Sequence, residues 1–157
     1  MNILLDEHKV LLIKLLQSKV DFILIGGYAV IYHGYGRTTG DMDVWLRPDN
    51  GNRDKLVPVL ESLGVLSEDI VQIKSVDFTQ ALAFHIDEPP RRVDFLTKIV
   101  GLTYEEADKK KVFLPLGNFQ VAVLHLDDLI VNKLISGRAK DKADVEELQK
   151  IMRLKKQ

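Results

Sequence analysis

The stretch that most limits how this chain can fold is Phe22-Ile23-Leu24-Ile25, four apolar residues that run without a break into Gly26-Gly27. An apolar run this short, stopped by glycine, reads as a strand buried on both faces. Two glycines let the backbone turn sharply, and Tyr28 to His33 reads as a short helix leaving that turn. Tyr35 to Gly40, rich in glycine and threonine, reads as a loop, and Asp41 to Leu46 reads as a second strand. Asp41 follows Gly27 by fourteen residues, room for one helix and one loop, so the second strand can return beside the first. The glycine corner and the start of the second strand can then meet at one edge of the sheet.

The remaining elements follow from periodicity and turn signals. Leu4, Leu5, Leu11, Leu12, Leu15 and Leu16 cluster on one side of a helix that Asn2 or Asp6 could cap. Pro48-Asp49-Asn50-Gly51 predicts a turn, followed by a helix to about Leu63 with Leu56, Val57, Leu60 and Leu63 on its core face. Pro58 implies a kink in that helix or a later start. Leu82 to Ile86 and Arg91 to Leu96 read as strands joined by Asp87-Glu88-Pro89-Pro90. Thr103 opens a polar helix through Lys110. Val112 to Val123, broken by Pro115, Gly117 and Asn118, reads as strand and turn. Two further helices span roughly Leu126 to Ser136 and Asp141 to Arg153, separated near Gly137. The expectation is an α+β domain over residues 1–157: a small mixed β-sheet with helices packed on one face, then a helical C-terminal part over residues 125–157.

Composition removes several classes of chemistry. With no cysteine, disulfides, cysteine–zinc sites and a thiolate nucleophile are excluded, so any metal must rest on oxygen or imidazole. His8, His33, His85 and His125 match no zinc spacing, and hydrogen bonding in core or loop is the expected role of His33. A net charge of -1 gives no global pull toward nucleic acid or an anionic membrane. The N-terminus lacks the apolar run of a signal peptide, and no segment has the apolar length of a membrane helix. A cytoplasmic protein with no membrane partner is the expectation.

The chemistry-bearing residues sit on the predicted strands. Residues two apart on a strand share a face, so Asp41 and Asp43 stand side by side, with Trp45 beyond them and Met42, Val44 and Leu46 turned the other way. Adjacent carboxylates repel unless a cation lies between them. A hard divalent cation takes carboxylate oxygens together with substrate phosphates. The plain alternative is a solvated strand face. Gly26-Gly27 admits close approach of a bulky anion, and amides at a helix start favour phosphate; the alternative is a tight turn that needs no ligand. In Arg91 to Leu96, Val93 and Phe95 share one face while Arg92, Asp94 and Leu96 share the other. Asp94 could thus join Asp41 and Asp43, or pair with Arg91 or Arg92 on a solvated edge.

The pattern GG-Y-A-V-x-x-H-G-x-x-R-T-T-x-D-x-D, from Gly26 to Asp43, resembles the signature of the nucleotidyltransferase superfamily, whose fold is that of DNA polymerase beta. Its His-Gly and Arg-Thr elements resemble the AbiEii-type toxin branch and its uncharacterised relatives. The resemblance implies transfer of a nucleoside monophosphate from a nucleoside triphosphate to an acceptor hydroxyl, on RNA such as tRNA, on a protein or on a small molecule. It implies two divalent ions, magnesium or manganese, held by Asp41, Asp43 and Asp94. Asp77, Asp87 and Glu88 are weaker candidates for the third carboxylate. Gly26, Gly27, Arg37, Thr39 and Lys133 are the candidate residues for the nucleotide; Arg37 could equally be a surface arginine, and Thr38 and Thr39 could donate to phosphate or merely shape the turn. Arg138, Lys140, Asp141 and Asp144 resemble the Arg-x-Lys-Asp-x-x-Asp element that follows, or form a solvated helix face with ordinary ion pairs. The toxin-like spelling favours an RNA or protein acceptor. Related enzymes that modify lincosamide or aminoglycoside antibiotics share the Gly-Gly turn and the Asp-x-Asp pair, and silent nucleotide-binding or partner-binding modules share the fold. Toxins of this branch carry a larger C-terminal region, and a separate small partner protein that completes the site is a further expectation. Lys109, Lys110 and Lys111 read as a solvated face, with an RNA contact as the alternative.

Overall fold

The structure, a computed structural model, describes residues 3–156. The chain opens with helix α1 (Asp6–Gln17), which buries His8, Leu11, Leu12 and Leu15. Asp6 lies in its first turn, where a carboxylate suits the helix dipole, rather than at the cap; Asn2 lies outside the described residues. Strand β1 (Phe22–Ile25) is buried at all four positions, and helix α2 (Gly26–Tyr32) follows at once. The helix starts two residues earlier than the sequence suggested, because Gly26, at φ +66°, makes the turn itself.

Strand β2 (Met42–Leu46) leads to helix α3 (Asn50–Ser62). The turn expected at Pro48 to Gly51 is a helix start instead: Asp49 caps it by accepting from the Asn52 amide at 2.6 Å, and Asn50 and Gly51 are already helical. The helix does not wait for Pro58, which lies within it. Helix α4 (Ser67–Ser75) had no counterpart in the sequence reading; it buries only Ile70, too little apolar repetition to make a readable stripe.

Strands β3 (Ala83–Ile86) and β4 (Val93–Leu96) pair antiparallel. Helix α5 (Tyr104–Lys110) starts at a Thr103 cap. Strands β5 (Val112–Leu116) and β6 (Phe119–Val123) form a hairpin closed by Gly117 at φ +60°. Helices α6 (Leu126–Ser136) and α7 (Ala139–Lys155) complete the chain, with Gly137 at φ +65° ending the first. Among the described residues no helix is long and apolar enough to cross a membrane.

The six strands make one mixed sheet in the order β3-β4-β2-β1-β6-β5. Strands β2 and β4 run parallel, as do β1 and β6, and the other neighbours are antiparallel. Burial follows position in that order. Strand β1, with neighbours on both sides and cover on both faces, is apolar throughout, whereas edge strands β3 and β5 alternate exposed and half-buried residues. Pro115 is tolerated in β5 because an edge strand can forgo an amide. Fully buried Trp45, Phe95, Leu12, Leu24 and Leu60 belong to one apolar core beneath the sheet centre.

Candidate active site

The register of the sheet brings the predicted residues together. Strand β1 pairs with β2 so that Ile25 faces Asp43, β2 with β4 so that Asp43 faces Asp94, and β4 with β3 so that Asp94 faces His85. Directly paired residues project to the same face, with Cβ atoms about 5 Å apart. Asp43 and Asp94 are therefore nearest neighbours on one face of the two parallel strands. Asp41, two residues before Asp43, shares that face by alternation, while Met42 turns away and is fully buried. Trp45 follows on the same side but belongs to the core, its indole donating to the Thr97 carbonyl at 3.1 Å.

The glycine corner packs directly on this row. A Cβ on Gly26 would lie 2.1 Å from Asp43 Oδ2, and one on Gly27 would lie 2.4 Å from Thr39 Oγ1 and 3.5 Å from an Arg37 guanidinium nitrogen. Only glycine lets the Asp43 and Thr39 side chains pack this closely on the backbone. Ile25, at the N-cap of α2, supplies no side-chain acceptor to the first-turn amides. Thr39 closes the loop on the row by donating to the Asp41 carbonyl at 3.0 Å. Gly26, Gly27, Thr39, Arg37, Asp41, Asp43 and Asp94 are thus neighbours around one corner of the sheet.

The row gathers negative charge around Asp43. Burial first, and then repulsion from Asp94 and Asp41, push the Asp43 carboxyl up to about 6, against the weaker pull of Lys140 and Lys133. Asp94 has a local counter-charge in Arg92, whose guanidinium lies 3.0 Å from its Oδ1. The pairing read from sequence as the plain alternative is thus present, but β4 is an interior strand between β2 and β3, not an edge. Among the described residues no three carboxylate or imidazole groups close on one point as a preformed metal cage. A carboxylate pair that completes its coordination with substrate oxygens suits magnesium better than a closed cage does. The chemistry of the donor set, all oxygen and short of positive charge, fits such an ion.

Lys133 and Arg37 do not stand free. Lys133 is buried, with its Nζ 3.1 Å from Asp141 Oδ1 and 2.9 Å from Asp144 Oδ2. The Arg37 Nε lies 3.0 Å from Asp144 Oδ1, and its guanidinium also donates to the Thr38 carbonyl at 2.8 Å. Arg138 reaches Asp141 at 2.7 Å, and the Ser136 hydroxyl donates to the same carboxylate. Burial opposes the Asp141 charge, yet the bonds from Arg138, Ser136 and Lys133 outweigh it and hold the carboxyl well below the usual range. Asp141 and Asp144, read from sequence as a possible solvated helix face, are buried and lock α6, α7 and the Arg37 loop together. A signal for this was present: Asp141, Asp144, Val145 and Leu148 recur at helical spacing on one face, and all four are buried. Arg92, two residues from Asp94 on the same strand face, is one of the two arginines that the sequence offered as its partner.

The other candidates lie elsewhere. Asp77 accepts from Thr79 and Asn50 and shapes a turn, while Asp87 and Glu88 follow β3 and line a separate cavity. His33 is a core residue whose Nε2 bonds the Leu124 carbonyl at 2.7 Å. Lys110 pairs with Asp128 at 2.8 Å and Lys111 with Asp108 at 2.6 Å.

A family model described as "Nucleotidyltransferase of unknown function (DUF6036)" matches residues 3–155. No curated protein matches the sequence. Among solved structures, an antigenic nucleotidyltransferase-like protein from Paracoccidioides brasiliensis is similar with a TM-score of 0.55 at 17% identity, over 93% of this chain and 73% of that one. The lincosamide antibiotic adenylyltransferase LnuA, bound to lincomycin, is similar with a TM-score of 0.56 at 15% identity, over 96% of this chain and 99% of that one. At these identities the likeness establishes the fold.

Proposed function

This chain belongs to the DUF6036 family of nucleotidyltransferases, and from that premise we propose that it is a divalent-metal-dependent enzyme that transfers a nucleoside monophosphate from a nucleoside triphosphate to an acceptor hydroxyl. The observation that carries this reading is Asp43. It lies in register with Asp94, is walled by Gly26, and has a carboxyl lifted to about 6 by burial and its carboxylate neighbours. A fold gains nothing from gathering like charges under cover unless a cation joins them.

In this reading Asp41 and Asp43 would hold magnesium or manganese, with Asp94 as the third carboxylate of the row. A divalent ion, when bound, neutralises triphosphate charge and lowers the pKa of the acceptor hydroxyl. The glycine corner, against which Asp43 and Thr39 pack, would stand beside the phosphates, with the Arg37 guanidinium next to it. Lys133 acts from behind, holding α6 and α7 in place and lending positive charge to Asp43. The acceptor oxygen forms a bond to the α-phosphorus as the bond from that phosphorus to the bridging oxygen breaks. Pyrophosphate carries away the electron pair, and Asp94 or solvent takes the hydroxyl proton.

A second reading for the acceptor, a small hydroxylated antibiotic, is supported by the likeness to the lincosamide enzyme, which extends over 99% of that chain. RNA, a protein hydroxyl and a toxin role stand beside it as acceptor classes. Titration with each nucleoside triphosphate, with and without magnesium, tests the core proposal: the protein binds one of them with magnesium, and Asp43→Asn loses that dependence. Equal binding by both proteins under all conditions would falsify it. Incubation with α-labelled triphosphate, RNA, protein and lincomycin identifies the acceptor by which product carries label.

A further inference from the structure

We infer that the outer edge of β3 is a docking site for an extended, basic segment of a partner protein, which adds to the sheet as a seventh strand. Strand β3 ends the sheet, and among the described residues no strand pairs with its outer side. The direction of its amides follows from the ladder. The Thr97 amide donates to the Leu82 carbonyl at 3.1 Å, so Leu82 and Thr97 form a hydrogen-bonded pair. Alternation along the antiparallel register makes Phe84/Phe95 and Ile86/Val93 bonded pairs as well. Ala83 and His85 therefore turn their N–H and C=O groups outward, away from β4.

A cavity of about 430 Å³ lies along this edge. Phe84, His85 and Ile86 of β3 all line it, although successive strand residues point to opposite faces, and Asp87 and Glu88 beyond the strand line it too. One cavity can touch consecutive residues of a strand only if it runs along the strand's rim, where the backbone is exposed. Its far wall is the α3–α4 connection and α4, with Leu66 and Ile73. Leu66 leaves 62% of its surface in water, so its side chain is free to take an apolar contact. A second cavity, of about 240 Å³, shares Leu63, Ile86 and Asp87 with the first and extends the groove to α1.

The charges choose the occupant. Asp69, Asp87 and Glu88 line the first cavity and Glu7 the second, against the single guanidinium of Arg91. A peptide strand with apolar residues toward Leu66 and Ile73 and lysine or arginine toward the rim meets this surface on three counts: backbone pairing, apolar contact and charge. Exposed edges without such a partner invite nonspecific pairing, and the acidic rim favours a basic sequence over a neutral one. The inference does not depend on the proposed activity.

The test uses the whole protein and a labelled peptide of about seven residues alternating valine and lysine, followed by fluorescence anisotropy. Saturable binding is expected, weakened at least tenfold by Asp69→Lys with Glu88→Lys. It should be abolished when the backbone amides of alternate peptide residues are N-methylated, which removes pairing without touching the protein. A glutamate peptide of the same pattern should not bind. Absence of saturable binding, or equal binding by the N-methylated peptide, overturns the inference. So does self-association of the free protein that His85→Pro removes, which would assign the edge to a second copy of the chain.

Discussion

Asp43 and Asp141 are covered carboxylates that feel the same lysine, yet their protonation is driven in opposite directions. Asp43 has carboxylate neighbours and only distant cations, and its carboxyl rises to about 6. Asp141 is fully buried but receives hydrogen bonds from Lys133, Arg138 and Ser136, and its carboxyl falls well below the usual range. Burial by itself penalises both charges; what differs is whether the fold supplies donors. The α6–α7 network is complete without a ligand and serves as structure. In the Asp41–Asp43–Asp94 row no such donors reach Asp43, and the proposed metal site rests on that difference.

The largest effect expected from breaking this contrast lies in the network. Lys133→Met leaves two buried carboxylates short of a cation and should cost about 3 to 5 kcal/mol in urea unfolding. A loss within 1 kcal/mol would mean that Arg37 and Arg138 already satisfy both.

Filling the space on the row side comes next. Gly26 and Gly137 share a left-handed backbone, but a Cβ on Gly137 meets nothing closer than 3.9 Å while one on Gly26 overlaps Asp43. Gly26→Ala should cost about 3 kcal/mol and Gly137→Ala about 1 kcal/mol, measured side by side. Equal costs would show that the corner is a turn and not a cradle.

Neutralising the row should stabilise the protein without ligand. A folded-state carboxyl raised from 3.8 to about 6 contributes stability that is present below the unfolded value and lost as pH rises through about 6. Asp43→Asn should therefore gain about 2 kcal/mol over the unliganded parent at pH 8, with the gain disappearing toward pH 4. Asp141 behaves with the opposite sign: its contribution is present above 3.8 and lost as pH falls through its depressed value. A pH-independent difference for Asp43→Asn would remove this account of Asp43.

The smallest effect belongs to the half-exposed Arg92–Asp94 pair, where Arg92→Gln should change stability by less than about 1 kcal/mol. A larger loss in thermal or urea unfolding would move Asp94 from the row to the structural group.

Much of this was written in the chain. Phe22 to Ile25, stopped by two glycines, determined a buried strand and a sharp corner, because four apolar residues without alternation need cover on both sides. The Asp-x-Asp spacing determined that two carboxylates share a face, since strand periodicity is local. The sequence was silent on α4, whose single buried anchor leaves no pattern, and it misread Pro48 to Gly51, where the Asp49 cap converted a turn signal into a helix start.

Tertiary structure alone decided which charges are satisfied. That Asp94 falls opposite Asp43 depends on the register of two strands about fifty residues apart in the chain, and that Lys133 is held by Asp141 and Asp144 depends on how α6 packs on α7. Local sequence sets the direction in which a side chain points. The sign of a pKa shift comes from what stands across from it, and that is a property of distance in space, which periodicity along the chain does not encode.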